Sequence, residues 1–454
     1  MSEGSLEAPT RHPIPWRETS FYDALALDEE LRRVFDICHG CRRCFNLCDS
    51  FPKLFDLIDD SESGELESVS SADFKPVIAA CTLCDMCFMS KCPYVPPHQF
   101  DLDFPHLMLR ARAVEAKTNG VPFNVRQLTK VDRNGRLAAH VAPVSNWASS
   151  CGNHLTRPVM ESVLGVHREA ELPKFHGKTF VDEAAKPLAI NKTAPAHGRK
   201  AVLYATCFAN YNNPVIGLSA RHVLAKNGVE TEVVYPQCCG MPQLEQGDIG
   251  AVAEAAAMVA ATLTPWIEKG YDVVALVPSC ALMMKFEWPL IVPENEDVKR
   301  LSAATRDITE YVVEIAKNEG LAEGLTPVDG GVTVHIACHA RAQNMGQKGA
   351  EMLRYIPDTK IDVIERCSGH GGSWGIMKEN FDVALKIGKP AARKVAELGA
   401  GRNAELGVGY VLSECPLARD HLLQGANRLT DAPLKTSAAQ HPIELLALSY
   451  GFER

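Results

Sequence analysis

Two stretches near the N-terminus decide how this chain is read: CHGCRRCFNLC at 38–48 and CTLCDMCFMSKCP at 81–93. The first spaces its cysteines C-x2-C-x2-C-x3-C, the second C-x2-C-x2-C-x4-C-P. One short loop of backbone can turn three such thiols inward, while the fourth, beyond the loop, reaches a neighbouring cubane cluster. The spacing therefore predicts two [4Fe-4S] clusters with crossed ligands. Cys38, Cys41, Cys44 and Cys92 hold one, and Cys81, Cys84, Cys87 and Cys48 the other. Pro93 directly follows Cys92, whereas Cys48 has no proline before Pro52, so the first run is the looser fit. Zinc also uses C-x2-C pairs, and eight structural thiols are the plain alternative. Three close cysteines and a fourth, twice over, exceed what zinc needs.

Outward from these runs, 454 residues allow about three domains. An apolar fraction of 46% and a charged fraction of 23% are those of a soluble globular chain. The net charge of −9 argues against a nucleic-acid groove and gives no reason to expect an anionic membrane as partner. No stretch approaches 18 uninterrupted apolar residues and the start has no secretory core, so a cytoplasmic protein is expected, meeting a membrane only peripherally at its inner face. Sixteen cysteines grouped at C-x2-C spacings point to metal rather than disulfides. Residues 1–20, rich in Pro, Ser and charge, read as a flexible arm. A helical period runs from Phe21 to Val34, and 59–71 is an acidic, solvated loop. Residues 105–180 read as helices packed over the cluster domain, with Cys151 a lone buried thiol outside any site.

From Lys200 short β-branched runs alternate with amphipathic helices, the pattern of a parallel sheet built from βα units. Strands are expected at 201–204, 231–235 and 273–277, leading to Cys207, to Cys238-Cys239-Gly240 and to Cys280. Helices are expected at 218–227 and 249–269. The order repeats with strands at 332–336, 361–364 and 410–412, leading to Cys338, Cys367 and Cys415. The offsets of 131, 129 and 135 residues make this an internal duplication. Parallel strands put all of these cysteines on the carboxyl edges of their sheets, where open α/β folds place ligands.

Cys…Cys-Cys-Gly…Cys behind a two-cluster module resembles the cysteine-rich CCG iron–sulfur proteins. Among these are the cysteine-rich subunit of anaerobic glycerol-3-phosphate dehydrogenase, the iron–sulfur subunits of glycolate and lactate oxidation, and the catalytic subunits of heterodisulfide reductase. The likeness to the first group rests on Gln237-Cys238-Cys239-Gly240-Met241-Pro242 and on Pro278-Ser279-Cys280 running on to Lys285, Glu287 and Trp288. The resemblance implies an α plus α/β architecture: an arm (1–20), a helical two-cluster ferredoxin domain (21–195), and two duplicated CCG domains (196–327 and 328–454). It also implies electron transfer between a partner flavoprotein and a quinone or disulfide acceptor. The family's closing Cys-x2-Cys is missing, with Met283 and Ala418 in its place, and the second Cys-Cys-Gly is Cys367-Ser368-Gly369. Cys207, Cys238, Cys239 and Cys280 suffice for one further cluster. Cys338, Cys367 and Cys415 leave a second incomplete, with Ser368, His339 and His370 as substitute donors, and these departures count against a noncubane cluster.

Cys367, Ser368 and His370 are the catalytic candidates, set against a decayed duplicate and a histidine bonded only to loop backbone. The glycines of Gly369–Gly375 lack the lysine and hydroxyl of a phosphate loop and read as a tight turn around Cys367. Lys285 either offsets cluster charge or forms an ion pair. No G-x-G-x-x-G opens a βα unit, so flavin or nicotinamide belongs to a partner. Two other classes stay open: a stand-alone thiol or disulfide reductase, and a non-enzymatic redox-sensing scaffold.

Overall fold

The computed structural model describes residues 8–90, 92–406 and 409–452. From Lys200 onward the chain builds two parallel sheets. β1 (Lys200–Tyr204), β2 (Glu230–Val234), β3 (Asp272–Ala275) and β4 (Thr305–Asp307) form the first, in the order β2-β1-β3-β4. β5 (Val332–His335), β6 (Ile361–Ile364) and β7 (Tyr410–Ser413) form the second, in the order β6-β5-β7. All the pairings are parallel, and in each sheet the strand earliest in the chain lies between the next two. The β-branched runs thus become strands within two residues of their expected ends. β4 is an addition: the run Thr-Arg-Asp is too short and polar to announce itself, yet it pairs with β3 through Val273 and Thr305. Asp307 then caps the next helix in a capping box with Glu310.

Alternate residues of a strand face opposite sides of its sheet, and the first sheet is buried on both. Val202, Tyr204, Val273 and Ala275 join the core of the N-terminal helices, which includes Leu31, Phe35 and Phe104. Ala201, Leu203, Val274 and Leu276 join a second core shared with Val332, Val334 and Leu412. The helix Ile249–Glu268 is long and apolar enough to cross a membrane, but half of that window is buried inside the protein. Gly228 and Gly270, at φ of 88° and 82°, lie just past the helices Pro214–Lys226 and Ile249–Glu268.

In the N-terminal part, the helix Ala24–Cys41 buries Leu27, Leu31, Val34 and Phe35 at helical spacing, begins on the Asp23 cap and ends at left-handed Arg42. The acidic stretch after Asp59 is less free than its composition suggests, because Arg32 donates to the carbonyls of Leu66 and Val69 and both side chains are buried. Residues 105–180 do form helices, and the helix Phe104–Asn119 packs on Ala24–Cys41. Further on, Gly135 lies against the Tyr211 ring and Phe180 against Gly217, both in the first α/β unit. Asn191 N donates to Ala225 O, so the chain is already docked there before the boundary expected at 195.

The flexible arm is corrected for residues 8–20, since residues 1–7 lie outside the described chain. Ile14 is buried, Trp16 Nε1 donates to Ile291 O, and Arg11 is inserted among three carboxylates. Its guanidinium meets Asp85 at 2.7 Å, Asp103 at 2.9 Å and Glu287 at 2.8 Å, and lies 4.3 Å from the Phe88 ring centre. These acids come from the second cysteine run, the cap of the next helix and the first α/β unit, so one side chain ties three parts together. Burial pushes Glu287 upward, but His106 and Arg11 hold it down to about 2. Removing the cation strands buried charge, which costs about 3–5 kcal/mol. Arg11→Met should lose that much in anaerobic chemical denaturation near neutral pH. A folded value held below that of the unfolded chain stabilises above the unfolded pKa and is lost as pH falls towards 2. The deficit of Arg11→Met should therefore shrink as pH falls from 6 to 3.

Candidate functional site

Cys38 and Cys41 lie in the last turns of the helix Ala24–Cys41, with Cys44 and Cys48 in the turn that follows. In the second run Leu83 and Asp85 take φ of 48° and 60°, left-handed values that bend the backbone between its cysteines. The thiols sort by which of them repel one another. Burial raises Cys38 well above its ordinary value, and Cys92, Cys44 and Cys41 add to it. Burial raises Cys48 likewise, followed by Cys81 and Cys84. Cys87 is raised by burial and then by Cys81, Cys84, Cys48 and Cys44. These effects associate Cys38 with Cys41, Cys44 and Cys92, and Cys48 with Cys81, Cys84 and Cys87, while Cys44 also reaches Cys87.

In the first α/β unit Cys207 follows β1, Cys238 and Cys239 follow β2, and Cys280 follows β3, so the parallel order brings them to one edge. The Cys238 and Cys207 sulfurs are 4.0 Å apart. Thiol contacts from Cys207 and Cys239, aided by the backbone amides of Gly240 and Cys239, hold Cys238 well below the thiol range, while those two are pushed above it. Tyr204 and Asp132, to which the sequence reading gave no role, complete the site with Trp288. The buried Tyr204 hydroxyl donates to Gln237 O and is raised by burial and then by all four thiols. Asp132 accepts from Cys238 N at 2.8 Å and from the Tyr235 hydroxyl. Trp288 Nε1 donates to Cys239 O at 3.1 Å. Tyr204 reads as core in a strand, and Asp132 lies more than 100 residues away from its partner, so neither carried a signal.

The second sheet places Cys338, Cys367 and Cys415 after β5, β6 and β7. Cys338 is raised by burial and then by Cys84, Cys367 and Cys415. Burial pushes Cys84 up to about 12, and the largest thiol contribution is from Cys367, ahead of its own run's Cys81. Cys84 therefore belongs to two neighbourhoods, a juxtaposition that spacing along the chain cannot reveal. The glycines of the 369–375 turn make it possible. A Cβ on Gly371 would come within 2.7 Å of Thr82 Cγ2, and one on Gly372 would collide with the Glu245 carboxylate. Gly369, at φ 78°, is pressed against Ala384 O.

Cys367 itself is exposed and accepts from Gly369 N at 3.3 Å. Ser368 is buried and its hydroxyl oxygen accepts from His370 N. His370 is buried, with Nε2 lacking a hydrogen-bond partner, and burial followed by His421 lowers it to about 3. His339 is lowered by burial to about 4. Both imidazoles are therefore neutral, able to act as donors to a metal but not as acids near pH 7. Lys285 pairs with Glu310 at 2.8 Å and Gln343 at 3.3 Å, the ion-pair role. Cys151, expected to be buried, is exposed.

The profile of the cysteine-rich CCG family matches residues 201–285, from β1 past Cys280. This segment is a CCG cysteine-rich domain. Over 358 residues the chain is 26% identical to one subunit of the anaerobic glycerol-3-phosphate dehydrogenase of Escherichia coli strain K12, covering 76% of this chain and 82% of that one. It is 28% identical over 187 residues to lactate utilization protein A of Geobacillus thermodenitrificans, covering 39% and 74%. The same protein of Bacillus pumilus gives 28% over 186 residues, covering 39% and 75%.

Within the CCG domain Glu245 joins all three parts. Arg112 Nη1 donates to its carbonyl at 2.8 Å and Nη2 to the carbonyls of Ile78 and Cys81, while Ser373 Oγ donates to its carboxylate at 3.4 Å. Burial pushes Glu245 up to about 7 against the pull of Arg112. A carboxyl raised on folding costs stability progressively as pH climbs from its unfolded value, about 4.3, to the folded one. Glu245→Gln should therefore gain on the parent protein as pH rises, levelling off above about 7 at roughly 1–2 kcal/mol after allowance for partial exposure. Melting temperatures of both proteins from pH 5 to 8.5 check this.

Proposed function

We propose that the chain is an iron–sulfur electron-transfer subunit that passes electrons between a partner flavoprotein dehydrogenase and a quinone or other redox acceptor. The observation that carries this reading is the position of Cys84, a member of one thiol set that also lies within electrostatic reach of Cys367 and Cys338 of another. The donor chemistry fits. Buried thiols that raise one another need a cationic centre to become thiolates, releasing protons as it binds. Among the described residues no three His, Cys, Asp or Glu side chains stand ready for a single metal ion, whereas a cluster spreads its thiolates over separate irons. We assign a [4Fe-4S] cluster to each N-terminal set, forming a ferredoxin module, and one further cluster to Cys207, Cys238, Cys239 and Cys280. Bound clusters supply one-electron steps at potentials set by hydrogen bonds and exposure.

The polypeptide does the rest. Asp132, Trp288 and Tyr204 fix the Cys238–Cys239 turn, and the glycine turn keeps the second sheet against the Cys81–Cys84 loop. The shared strand order, central strand first, supports reading the two α/β units as duplicates. The second, with three thiols and neutral His339 and His370, shapes the acceptor site. The glycerol-3-phosphate dehydrogenase relative is one subunit of an enzyme, which supports a multiprotein setting. The exposure of Cys367 favours, as a second reading, direct exchange with a small disulfide.

Iron and acid-labile sulfide assays with EPR, on anaerobically purified protein, test the assignment. Cys239→Ala should remove about four irons per chain beyond the N-terminal pair. Cys84→Ser should alter one N-terminal EPR signal and leave the other recognisable. Cys367→Ala should keep the N-terminal clusters reducible but abolish their reoxidation by the physiological acceptor. Unchanged iron in the first variant, unchanged spectra in the second or full turnover in the third refutes the corresponding assignment. Turnover of a disulfide with reduced viologen and no partner would establish the second reading.

A further inference from the structure

We infer that Asp132 is a positioning residue for the cluster assigned to the CCG domain: it holds the turn that presents Cys238 and Cys239 and, through its negative charge, makes that cluster harder to reduce. The inference rests on the assignment of a cluster to Cys207, Cys238, Cys239 and Cys280. Asp132 comes from outside the domain, in the first turn of the helix Val131–His140, where the backbone dipoles favour an anion. Gly135 lets this helix approach, since a Cβ there would collide with the Tyr211 ring. Both carboxylate oxygens are engaged: Oδ2 accepts from Cys238 N at 2.8 Å and Oδ1 from the Tyr235 hydroxyl. The Tyr235 ring centre lies 5.8 Å from that of Tyr204 and 5.9 Å from that of Tyr211, so a wall of three tyrosines backs the carboxylate. The amides of the turn are thereby divided. That of Cys238 goes to Asp132, while those of Gly240 and Cys239 help the thiol contacts from Cys207 and Cys239 to hold the Cys238 thiol down.

Charge sets Asp132 apart from the groups beside the other thiols. Burial raises Cys81, Cys92 and Cys367, and against it Arg112 draws the first down, Arg43 the second and Arg341 the third. In the CCG domain the sign is reversed: Cys238, burial and Cys280 raise Cys207, and Asp132 adds to them. Arg136, exposed one turn along the same helix, faces Asp132 and offsets part of its charge. Arg133 donates instead to Gln127 Oε1 and Asn134 Oδ1. Glu245, a second carboxyl within electrostatic reach of Cys238, is raised by burial and drawn down by Arg112. Adding one electron to a cluster caged by four thiolates adds negative charge, and an anion beside the cage opposes that addition most where water is scarce. Asp132 thus has two opposed effects. By fixing the turn it aims amides at the Cys238 sulfur, which favours the reduced state, and by its charge it disfavours that state. Asparagine separates the two, because its Oδ1 can still accept from Cys238 N while the charge is gone.

Potentiometric titration followed by EPR, on the anaerobically purified holoprotein at one fixed pH, tests this. Asp132→Asn is expected to move the third cluster's midpoint to a more positive potential with iron content unchanged, and Asp132→Glu, which keeps the charge, to stay closer to the parent value. Arg136→Gln should move the same midpoint the other way, and by less, because Arg136 is exposed and screened. The N-terminal clusters should keep their potentials in all three variants. A third signal that Asp132→Asn leaves unmoved, or N-terminal potentials that move equally with it, overturns the role of Asp132. If Asp132→Asn loses that cluster's iron, Arg136→Gln decides: a negative shift upholds the proposal and no shift overturns it. A parent protein that shows only the N-terminal clusters overturns the third-cluster assignment and this inference together, an outcome distinct from failure of the charge effect alone.

Discussion

The strands of the first sheet must satisfy two cores at once, and the rest of the architecture follows from this. Because Val202 and Tyr204 share a core with the N-terminal helices while Ala201 and Leu203 share one with their own unit's helices and the second α/β unit, these parts cannot separate without exposing apolar surface. The carboxyl edge of that sheet is therefore a fixed rim, on which Cys207, Cys238, Cys239 and Cys280 are held while flanking units bring in their own thiols. Arg11 works to the same end with charge, one cation holding acids from three separate parts of the chain.

Crowding cysteines has an electrostatic cost. Several buried thiols raise one another while Cys238 is held down, and the fold supplies backbone compensation: amides at Gly240 and Cys239 for Cys238, and the Gly369 amide for Cys367. Glu245 carries the same burden as an acid, close to neutrality in a junction where Arg112 is its main electrostatic relief. The imidazoles of His339 and His370 add no charge at all, which suits a site already rich in potential anions.

What the sequence made legible was local. Cysteine spacing pointed to two N-terminal sets, and β-branched runs located six of the seven strands. β4 escaped because a three-residue polar strand takes its identity from pairing with β3. The arm escaped because proline, serine and charge describe a mobile segment equally well as one pinned by a single arginine. Tyr204 and Asp132 are ordinary residues in ordinary elements until the chain folds them against thiols far away in sequence.

Gly371 shows how narrow the margins are. Its missing side chain lets the backbone rest on Thr82, and a single methyl group there would stand 2.7 Å from Thr82 Cγ2. A glycine usually explained by its freedom to turn is here a spacer of zero thickness. It sets how closely the glycine turn of the second unit rests on the Cys81–Cys84 loop at Thr82, and thickening it by one carbon would wedge those two surfaces apart.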